Sequence, residues 1–331
     1  MIRRILLAAT IAAALAALTS CTPRAGQGAT FTEYNLTTPG AGPSALTVDA
    51  SGRVWYLESR LNRLAMLVPA TKQISESAIP SAGAGADSIA VGPDGDAWTL
   101  AEPDNKIVRF KSSSSQLTRY QVPTARAGLS GLAVDRSSGT VWFSEGAAGR
   151  IGRLDTASTH FDEVRTPTSN SRPSAITLDP TGNVWFCEPG ANKIGRLDPK
   201  TKAVTEFSIP TPNSGPSSIV ADAAGHIWFT ETSGNKVARL DPPTKKFDEF
   251  EAKIANSRPR SVTVDKKSAI WFIEETQNQI VKLSPDRQQR TEYKIPTSSS
   301  MPTSLSFDPS GNLWFAETAG NKVAVLLIGG K

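Results

Sequence analysis

The seven tryptophans of this 331-residue chain are spaced at an almost constant interval. Successive tryptophans are 43 residues apart, with one interval of 44, and they are Trp55, Trp98, Trp142, Trp185, Trp228, Trp271 and Trp314. The extra residue lies in the segment DRSSGTVW, which is one residue longer than the corresponding DPTGNVW of the next unit. A fixed period in the low forties, held over seven units, indicates a repeat architecture in which every Trp occupies the same structural position.

Each repeat has the pattern of four short β-strands. In the unit that begins with RPSAITLD, the turn PTGN leads to VWFCE, a second turn leads to KIGRLD, and a third leads to AVTEFSIP. Strands of about five residues, separated by Gly, Pro and Asn, favour an up-and-down sheet. A four-stranded unit of this period is typical of a propeller blade. The sequence therefore predicts an all-β, seven-bladed β-propeller over residues 31–331, with almost no helix.

The two ends of the predicted ring complement each other. The last unit stops after its third strand, at NKVAVLLIGGK, whereas the segment FTEYNLTTP (residues 31–39) resembles the fourth-strand segment VTEFSIPTP and has no unit before it. We therefore expect the N-terminal strand to complete the seventh blade and to leave no open sheet edge.

The N-terminus has the features of an export signal. Two arginines, Arg3 and Arg4, precede an apolar stretch over residues 5–18, which is too short for a comfortable membrane span. The stretch ends in LTSC, which resembles the bacterial lipobox and implies cleavage before Cys21 with lipid on its thiol. The alternative is an ordinary secretory peptide that is cut nearby, with Cys21 incidental. Residues 1–20 are thus interpreted as a lipoprotein signal peptide.

Residues 21–30 are small and polar, as expected for a flexible tether between a lipidated cysteine and a folded domain. These features predict an exported, membrane-anchored lipoprotein of the cell envelope, on the periplasmic or outer-membrane side if the cell is Gram-negative. No later apolar run reaches the roughly 20 residues of a spanning helix.

The charge and the cysteine content limit which binding partners and which disulfide bonds are expected. Without residues 1–20 the chain has 34 basic and 31 acidic residues, a net charge of +3 without a basic block, which does not favour nucleic acid as a partner. Two cysteines, one of them predicted to carry lipid, leave no internal disulfide. We interpret Cys187 as a small core residue, and a reactive thiol is the alternative. We expect a monomer that contacts the membrane through its anchor and a small-molecule or protein ligand through the propeller.

The blade sequences WFCEPGANKIGRLD and WFTETSGNKVARLD, with the openings GPSSI and RPSAI, resemble the streptogramin B lyase (virginiamycin B lyase) family over about residues 31–331. The resemblance implies a seven-bladed propeller and an elimination reaction that opens the ester linkage of cyclic depsipeptide antibiotics. It also implies a metal ion, usually magnesium, and His as the base. The lyases place His directly after the opening Pro of blades six and seven, and Tyr at that place in blade one.

This chain departs from that catalytic pattern. Arg260 and Thr303 stand where the two His are implied, Ser44 replaces the Tyr, and Met301 stands where the seventh blade would begin with Glu. Glu317 alone matches a catalytic position that the resemblance implies. The chain has only two His, His160 and His226, both in turns that belong to the opposite face of the predicted propeller. Because Arg and Thr are poor substitutes for a base near neutral pH, whether the protein is an enzyme stays open.

Residues that differ from their counterparts in other blades are the better candidates for binding. The first strand of a blade begins at the face of the propeller where the second strand ends. The residue after the opening Pro and the Glu after Trp therefore lie on the same face, which we call the mouth. Ligand-binding candidates at the mouth of blades six, seven and one are Arg260, Glu274, Thr303, Glu317 and Ser44. Arg260 suits a carboxylate or another anion, and a salt bridge to Glu274 or Glu317 is the alternative. The repeated Glu row is interpreted as structural, with an acidic ring that binds a cation or amine as the alternative.

The expected function is a ligand- or protein-binding module without lyase activity, for which no cofactor is expected. The alternative is a metal-dependent lyase of streptogramin B-type depsipeptides, which would need Mg²⁺.

Overall fold

The computed structural model describes residues 23–25, 29–81 and 87–328. These residues form seven antiparallel four-stranded blades, one of which gains a fifth, parallel strand at its outer edge, and this confirms the predicted seven-bladed propeller. A single 3₁₀ turn, Glu102–Asp104, is the helical element of the described ranges. Among the same residues, no helix is long and apolar enough to cross a membrane.

Each blade uses four strands that are consecutive in the chain, except the seventh. In chain order the strands are β1 (Pro23–Ala25), β2 (Thr30–Asn35), β3 (Pro43–Val48), β4 (Val54–Glu58), β5 (Arg63–Val68), β6 (Gln73–Ala78), β7 (Ile89–Val91), β8 (Ala97–Ala101), β9 (Lys106–Lys111), β10 (Gln116–Gln121), β11 (Leu129–Val134), β12 (Val141–Glu145), β13 (Arg150–Asp155), β14 (His160–Arg165), β15 (Ile176–Leu178), β16 (Val184–Glu188), β17 (Lys193–Leu197), β18 (Val204–Ser208), β19 (Pro216–Ala221), β20 (Ile227–Glu231), β21 (Lys236–Asp241), β22 (Lys246–Glu251), β23 (Pro259–Val264), β24 (Ile270–Glu274), β25 (Gln279–Leu283), β26 (Arg290–Lys294), β27 (Pro302–Phe307), β28 (Leu313–Glu317) and β29 (Lys322–Leu327). Blade 1 is β3–β6 and blade 6 is β23–β26; blade 7 is β27–β29 together with β2.

The N-terminal strand closes the ring as predicted. β2 pairs antiparallel with β29 over six residues, from Thr30 opposite Leu327 to Asn35 opposite Lys322. Phe31 meets Phe315 edge to face, with ring centroids 5.9 Å apart, and Tyr34 stacks on Trp314 at 5.6 Å. The strand thus contributes aromatic packing as well as backbone pairing to the seventh blade.

The predicted signal peptide and Cys21 lie outside the described residues, so the lipid anchor stays a prediction. Of the predicted tether, residues 23–25 form β1, which pairs in parallel with β26 at the outer edge of blade 6.

The repeated tryptophans are buried between blades. Each core cluster combines side chains from two neighbouring blades, for example Trp185 of blade 4 with Phe229 and Leu240 of blade 5. The indole also has a polar contact: Trp185 donates its Nε1–H to Asp179, six residues earlier, at 2.8 Å. Because the second strand of each blade is buried along its whole length, the ring has a continuous apolar core.

The repeated Asn residues fix the turn after the second strand. Asn62, Asn105, Asn192, Asn235, Asn278 and Asn321 all have φ between 51° and 57°. This left-handed conformation is one that Asn tolerates better than most residues. The Asn192 amide also donates to the Thr211 carbonyl at 2.9 Å, which ties the turn to the loop that enters the next blade. The Asn row is therefore structural, and it fixes the loops that form one face of the ring.

Candidate functional site

The mouth is the face of the propeller where the first strand of every blade begins and the second strand ends. The loops that enter each blade also lie here, since they bond to the turn after the second strand. His160 begins β14 and His226 immediately precedes β20, so both belong to the turns of the opposite face. His226 Nδ1 lies 3.0 Å from Asp222 Oδ2 in its own turn. Neither imidazole is available at the mouth.

The Glu row is buried. The carboxylates three residues after Trp are all 0% exposed, and they are Glu58, Glu145, Glu188, Glu231, Glu274 and Glu317. Five of them, all but Glu274, have no hydrogen bond of ordinary geometry at either oxygen, and the Ser or Thr hydroxyl beside Glu145, Glu188, Glu231 and Glu317 lowers the pKa less than burial raises it. These side chains face the interior of the blade and not a ligand at the mouth.

The basic residue that begins the third strand, next to each row Glu, pairs with a second carboxylate. In blade 4, Lys193 Nζ lies 2.6 Å from Oε2 of Glu206 on the fourth strand, and Thr168 of the preceding loop donates to the same oxygen at 2.5 Å. The same arrangement recurs in blades 1, 3, 5 and 7 with N–O distances of 2.6–2.7 Å. We call each set of row Glu, third-strand base, fourth-strand Glu and loop Thr a carboxyl tetrad.

Burial raises the pKa of the row Glu of each carboxyl tetrad to about 7, and the fourth-strand carboxylate beside it adds to the effect. In blade 1, Glu58 Oε2 is still 4.0 Å from Arg63 Nη1, whose shorter contact, 2.7 Å, is to Glu76. A buried carboxyl without donors, next to a carboxylate, is favoured in its protonated form. Each carboxyl tetrad is therefore a structural unit in which the protonated form of the row Glu is favoured.

Blades 2 and 6 depart from the tetrad. In blade 2, Ala101 occupies the row position and Arg119 the position of the fourth-strand Glu. In blade 6, Glu274 is present but binds Arg290 at 2.7 Å and Gln279 at 2.5 Å. Arg290 is only 3% exposed, so Glu274 belongs to a buried structural ion pair. Glu274 is one of the five ligand-binding candidates, and this ion pair holds its side chain away from the mouth.

Arg260 lies at the mouth, and its side chain is 43% exposed. Its Nη1 lies 2.9 Å from Oε1 of Glu275, which is the residue after the row Glu, so the expected salt-bridge partners Glu274 and Glu317 are not used. Arg258 approaches the other oxygen of Glu275 at 3.4 Å. Two half-exposed guanidiniums thus share one carboxylate. Sequence reasoning overlooked Glu275. At the comparable position blade 2 has Glu102, whereas the other five blades have Ser, Gly, Pro or Thr.

Two exposed apolar side chains lie in the mouth loops of blades 6 and 7. Ile254 and Met301 are the large hydrophobic residues that the described chain exposes, at 42% and 46%. The Ile254 carbonyl accepts from the Asn235 amide, and the Met301 carbonyl accepts from Thr318 N–H, which places both loops at the mouth. Ile254, Arg258, Arg260, Glu275 and Met301 form the blade 6–7 patch, which offers positive charge beside apolar surface.

Thr303 and Ser44 lie together across the junction of blades 7 and 1. Thr303 Oγ1 donates to the Ser44 carbonyl at 2.6 Å, and Thr318 Oγ1 donates to the Pro43 carbonyl at the same distance. These hydroxyls hold neighbouring blades together. The Ser44 hydroxyl is buried and has no hydrogen-bond partner in the described chain. Glu317 lies in the carboxyl tetrad of blade 7, beside Glu33 and Lys322.

The magnesium ion that the resemblance implies does not fit this donor set. Mg²⁺ requires a near-octahedral shell of oxygen atoms, usually with one or two carboxylates. The two positions implied to be His hold a guanidinium and a hydroxyl already used between blades, and Glu317 is buried in its tetrad. Within the described ranges, no group of three or more His, Cys, Asp or Glu side chains is arranged to hold a metal ion.

Cys187 is fully buried in the cluster of Trp185 and Phe229, and burial raises the pKa of its thiol. It packs as a small core residue and is not a reactive thiol.

The comparisons with known proteins all point to one family. The model of the virginiamycin B lyase family matches residues 21–221 and 200–331 of this chain. No curated protein sequence matches it significantly.

Three solved structures share the fold at about 30% identity. A streptogramin B lyase is 30% identical with a TM-score of 0.85, and the match covers 91% of this chain and 98% of that chain. The virginiamycin B lyase of Staphylococcus aureus is 31% identical with a TM-score of 0.84, covering 91% of this chain and 100% of that one. A catalytically inactive His-to-Ala variant of the S. aureus lyase, solved with quinupristin, gives the same identity, coverage and TM-score.

Proposed function

The chain belongs to the virginiamycin B lyase family, and from this premise we propose that it is a lipid-anchored binding propeller of the cell envelope without lyase activity. The observation that carries the proposal is the chemistry at the two positions where the resemblance implies His. Arg260 is bound to Glu275, and Thr303 is bound to the Ser44 carbonyl. Neither can take a proton from a substrate near neutral pH. The S. aureus relative is inactive as a His-to-Ala variant, which supports this assignment.

The ligand that suits the blade 6–7 patch carries an acidic group beside an apolar portion. The patch has two guanidiniums and one carboxylate, so it keeps an excess positive charge toward solvent. A carboxylate is the anion that a guanidinium binds best through paired hydrogen bonds. Ile254 and Met301 supply exposed apolar surface in the loops of the same two blades. A small molecule or a protein segment of this chemistry fits the patch.

Replacing Arg260 with Ser is expected to weaken binding of octanoate, a simple acid with an apolar chain, by about ten- to a hundredfold. The reason is the loss of a charge-assisted hydrogen bond, worth about 1.5–3 kcal/mol. Calorimetric titration measures the affinity, and octanamide serves as the uncharged ligand. The melting temperature should stay near normal, because Ser occupies this position in blades 4 and 5. Arg153→Ser, away from the mouth, is the control variant. A much lower melting temperature for Arg260→Ser would make Arg260 a structural ion-pair partner and contradict the assignment.

The lipid anchor has its own test. Cys21→Ser should release the protein from the membrane fraction or leave the precursor unprocessed, because the thiol is the proposed site of lipid attachment. Cell fractionation and the mass of the mature protein measure this. Cys187→Ser, which changes the buried cysteine, should fractionate as the wild type does. Unchanged fractionation and mass for Cys21→Ser would refute lipidation.

The second candidate function is the metal-dependent lyase reaction, and it is favoured by the near-complete structural match to two lyases at about 30% identity. We expect purified protein to leave a streptogramin B compound intact in the presence of Mg²⁺. Elimination opens the ring without changing the mass, so the assay must combine chromatography with fragmentation mass spectrometry. A known lyase serves as the positive control. A linear product that disappears in Glu317→Gln would establish the alternative and overturn the binding-only proposal.

A further inference from the structure

A cleft of about 950 Å³ lies at the mouth over blades 2 to 4, on the side of the ring away from Arg260. Its lining includes Glu102, Ser130, Ala147, Arg172, Ser174 and Gly190. The volume lies within the range of about 300–1,000 Å³ that is typical of small-molecule sites. Unlike the blade 6–7 patch, this cleft was not indicated by the sequence.

Glu102 reaches the cleft because blade 2 breaks the Glu row. In the other six blades, Glu follows Trp by three residues and is fully buried, whereas Ala101 takes that place in blade 2. Glu102 comes one residue later, at the start of the 3₁₀ turn. Since side chains alternate along a strand, a shift of one residue moves the carboxylate out of the blade interior. Glu102 is exposed and has no ion pair in the described chain.

Arg172 supplies the opposite charge. It precedes Pro173, has φ of +55° and is exposed, and its side-chain stem lies over Gly190, where an added Cβ would come within 3.1 Å of Cγ. Arg258 has the same place in blade 6, where it approaches Glu275. In blade 4 the position of Glu275 is taken by Pro189, and no described residue forms an ion pair with Arg172. Its guanidinium is therefore available to an anion.

The inner wall of the cleft has an unused hydrogen-bonding group. Ser174 lines the cleft, and its Oγ is buried without a partner in the described chain. Ser130, its counterpart in blade 3, donates to the Pro173 carbonyl at 3.0 Å. Ser44, at the same place in blade 1, also has a buried hydroxyl without a partner, so this feature belongs to the repeat, and the two unpaired charges are what distinguish the cleft. Gly146 and Gly190 let the loop that enters blade 4 pack closely, since a Cβ at these positions would lie 3.1 Å from the Pro173 oxygen and 2.1 Å from the Asn170 oxygen.

We propose that this cleft binds a zwitterionic ligand of the short-peptide class. The ligand's ammonium group lies at Glu102 and its carboxylate at Arg172. The assignment uses residues of blades 2 to 4 alone and is independent of the blade 6–7 patch.

The experiment is a titration with tetra-alanine in four forms: free ends, acetylated at the N-terminus, amidated at the C-terminus, and blocked at both ends. The free-ended peptide should bind about tenfold or more tightly than the doubly blocked one, because each blocked end loses a charge-assisted contact. Glu102→Gln should remove the preference for a free amine, and Arg172→Gln the preference for a free carboxylate. Both variants should melt as the wild type does, since both side chains are exposed.

Arg153→Gln, on the third strand of blade 3 and away from the mouth, is the control. It should leave tetra-alanine binding unchanged. Equal binding of the free-ended and doubly blocked peptides would overturn the proposal. So would unchanged end preferences in Glu102→Gln and Arg172→Gln, or absence of binding by the free-ended peptide at millimolar concentration.

Discussion

A chain that begins at residue 37, without β2, is expected to lose about 5 kcal/mol or more of its stability and to self-associate. β2 contributes six paired residues to blade 7, together with the ring contacts of Phe31 and Tyr34. Both rings are partly buried, so each contributes part of the roughly 1.5–3 kcal/mol that a fully buried aromatic side chain contributes. Glu33 of β2 also completes the carboxyl tetrad of blade 7 through Lys322, at 2.6 Å. Without β2, β29 becomes an open sheet edge, which favours association with other chains.

Thermal melting followed by circular dichroism, together with size-exclusion chromatography, measures both effects. A chain that begins at residue 29 is the control, because it keeps β2 and lacks only what precedes it. A synthetic peptide of residues 29–36 should restore part of the stability in trans. If the chain that begins at residue 37 melts within a few degrees of the control and stays monomeric, β2 does not close the ring.

The stability of the protein is expected to fall by several kcal/mol as the pH rises from about 5 to about 8. Glu58, Glu145, Glu188, Glu231 and Glu317 have pKa values raised by burial to about 7, from an ordinary value of 4.5. Between these values the folded state binds more protons than the unfolded state, so stability decreases as the pH increases. The contribution is complete below about 4.5 and is lost above about 7. Each pKa unit corresponds to about 1.4 kcal/mol, although neighbouring groups and relaxation reduce the sum.

The fourth-strand carboxylates determine how the stability of the protein falls at acidic pH. Burial opposes ionisation of Glu206, but hydrogen bonds from Lys193 and Thr168 outweigh it and lower its pKa, and Glu33, Glu163 and Glu249 behave in the same way. Their contribution to stability is present above the ordinary pKa and is lost as the pH falls below it. Maximum stability is therefore expected in the mildly acidic range.

Denaturant unfolding at a series of pH values measures the slope of the unfolding free energy against pH. Glu145→Gln should reduce the slope by about one fifth, because it removes one of five similar groups, and it should stabilise the protein at about pH 8. Glu274→Gln, at the same position in blade 6, is the matched control, and its expected effect on stability has the opposite sign. It should destabilise the protein because it removes the partner of the buried Arg290. A flat profile between pH 5 and 8, or one that Glu145→Gln leaves unchanged, would contradict protonated carboxyl tetrads.

The sequence by itself determined the architecture. Seven tryptophans at a period of 43 residues fixed the number of blades, and the unpaired strand segment beginning at Phe31 fixed how the ring closes. Both follow from local rules, because strand alternation and turn residues act over a few positions and the period repeats them without change. The position of both His on the face opposite the mouth follows from the same register.

Only the tertiary structure decided which partners the charged side chains take. Lys193 lies five residues after Glu188, yet it binds Glu206, which also accepts a hydrogen bond from Thr168 in the loop between blades 3 and 4. Arg260 likewise binds Glu275 and not the row Glu beside it. Such pairings depend on which side chains the packing of two blades brings into one buried space, and sequence spacing does not encode that. The blade 2–4 cleft depends on the same packing, since its lining comes from loops of three blades whose separation is fixed only in the closed ring.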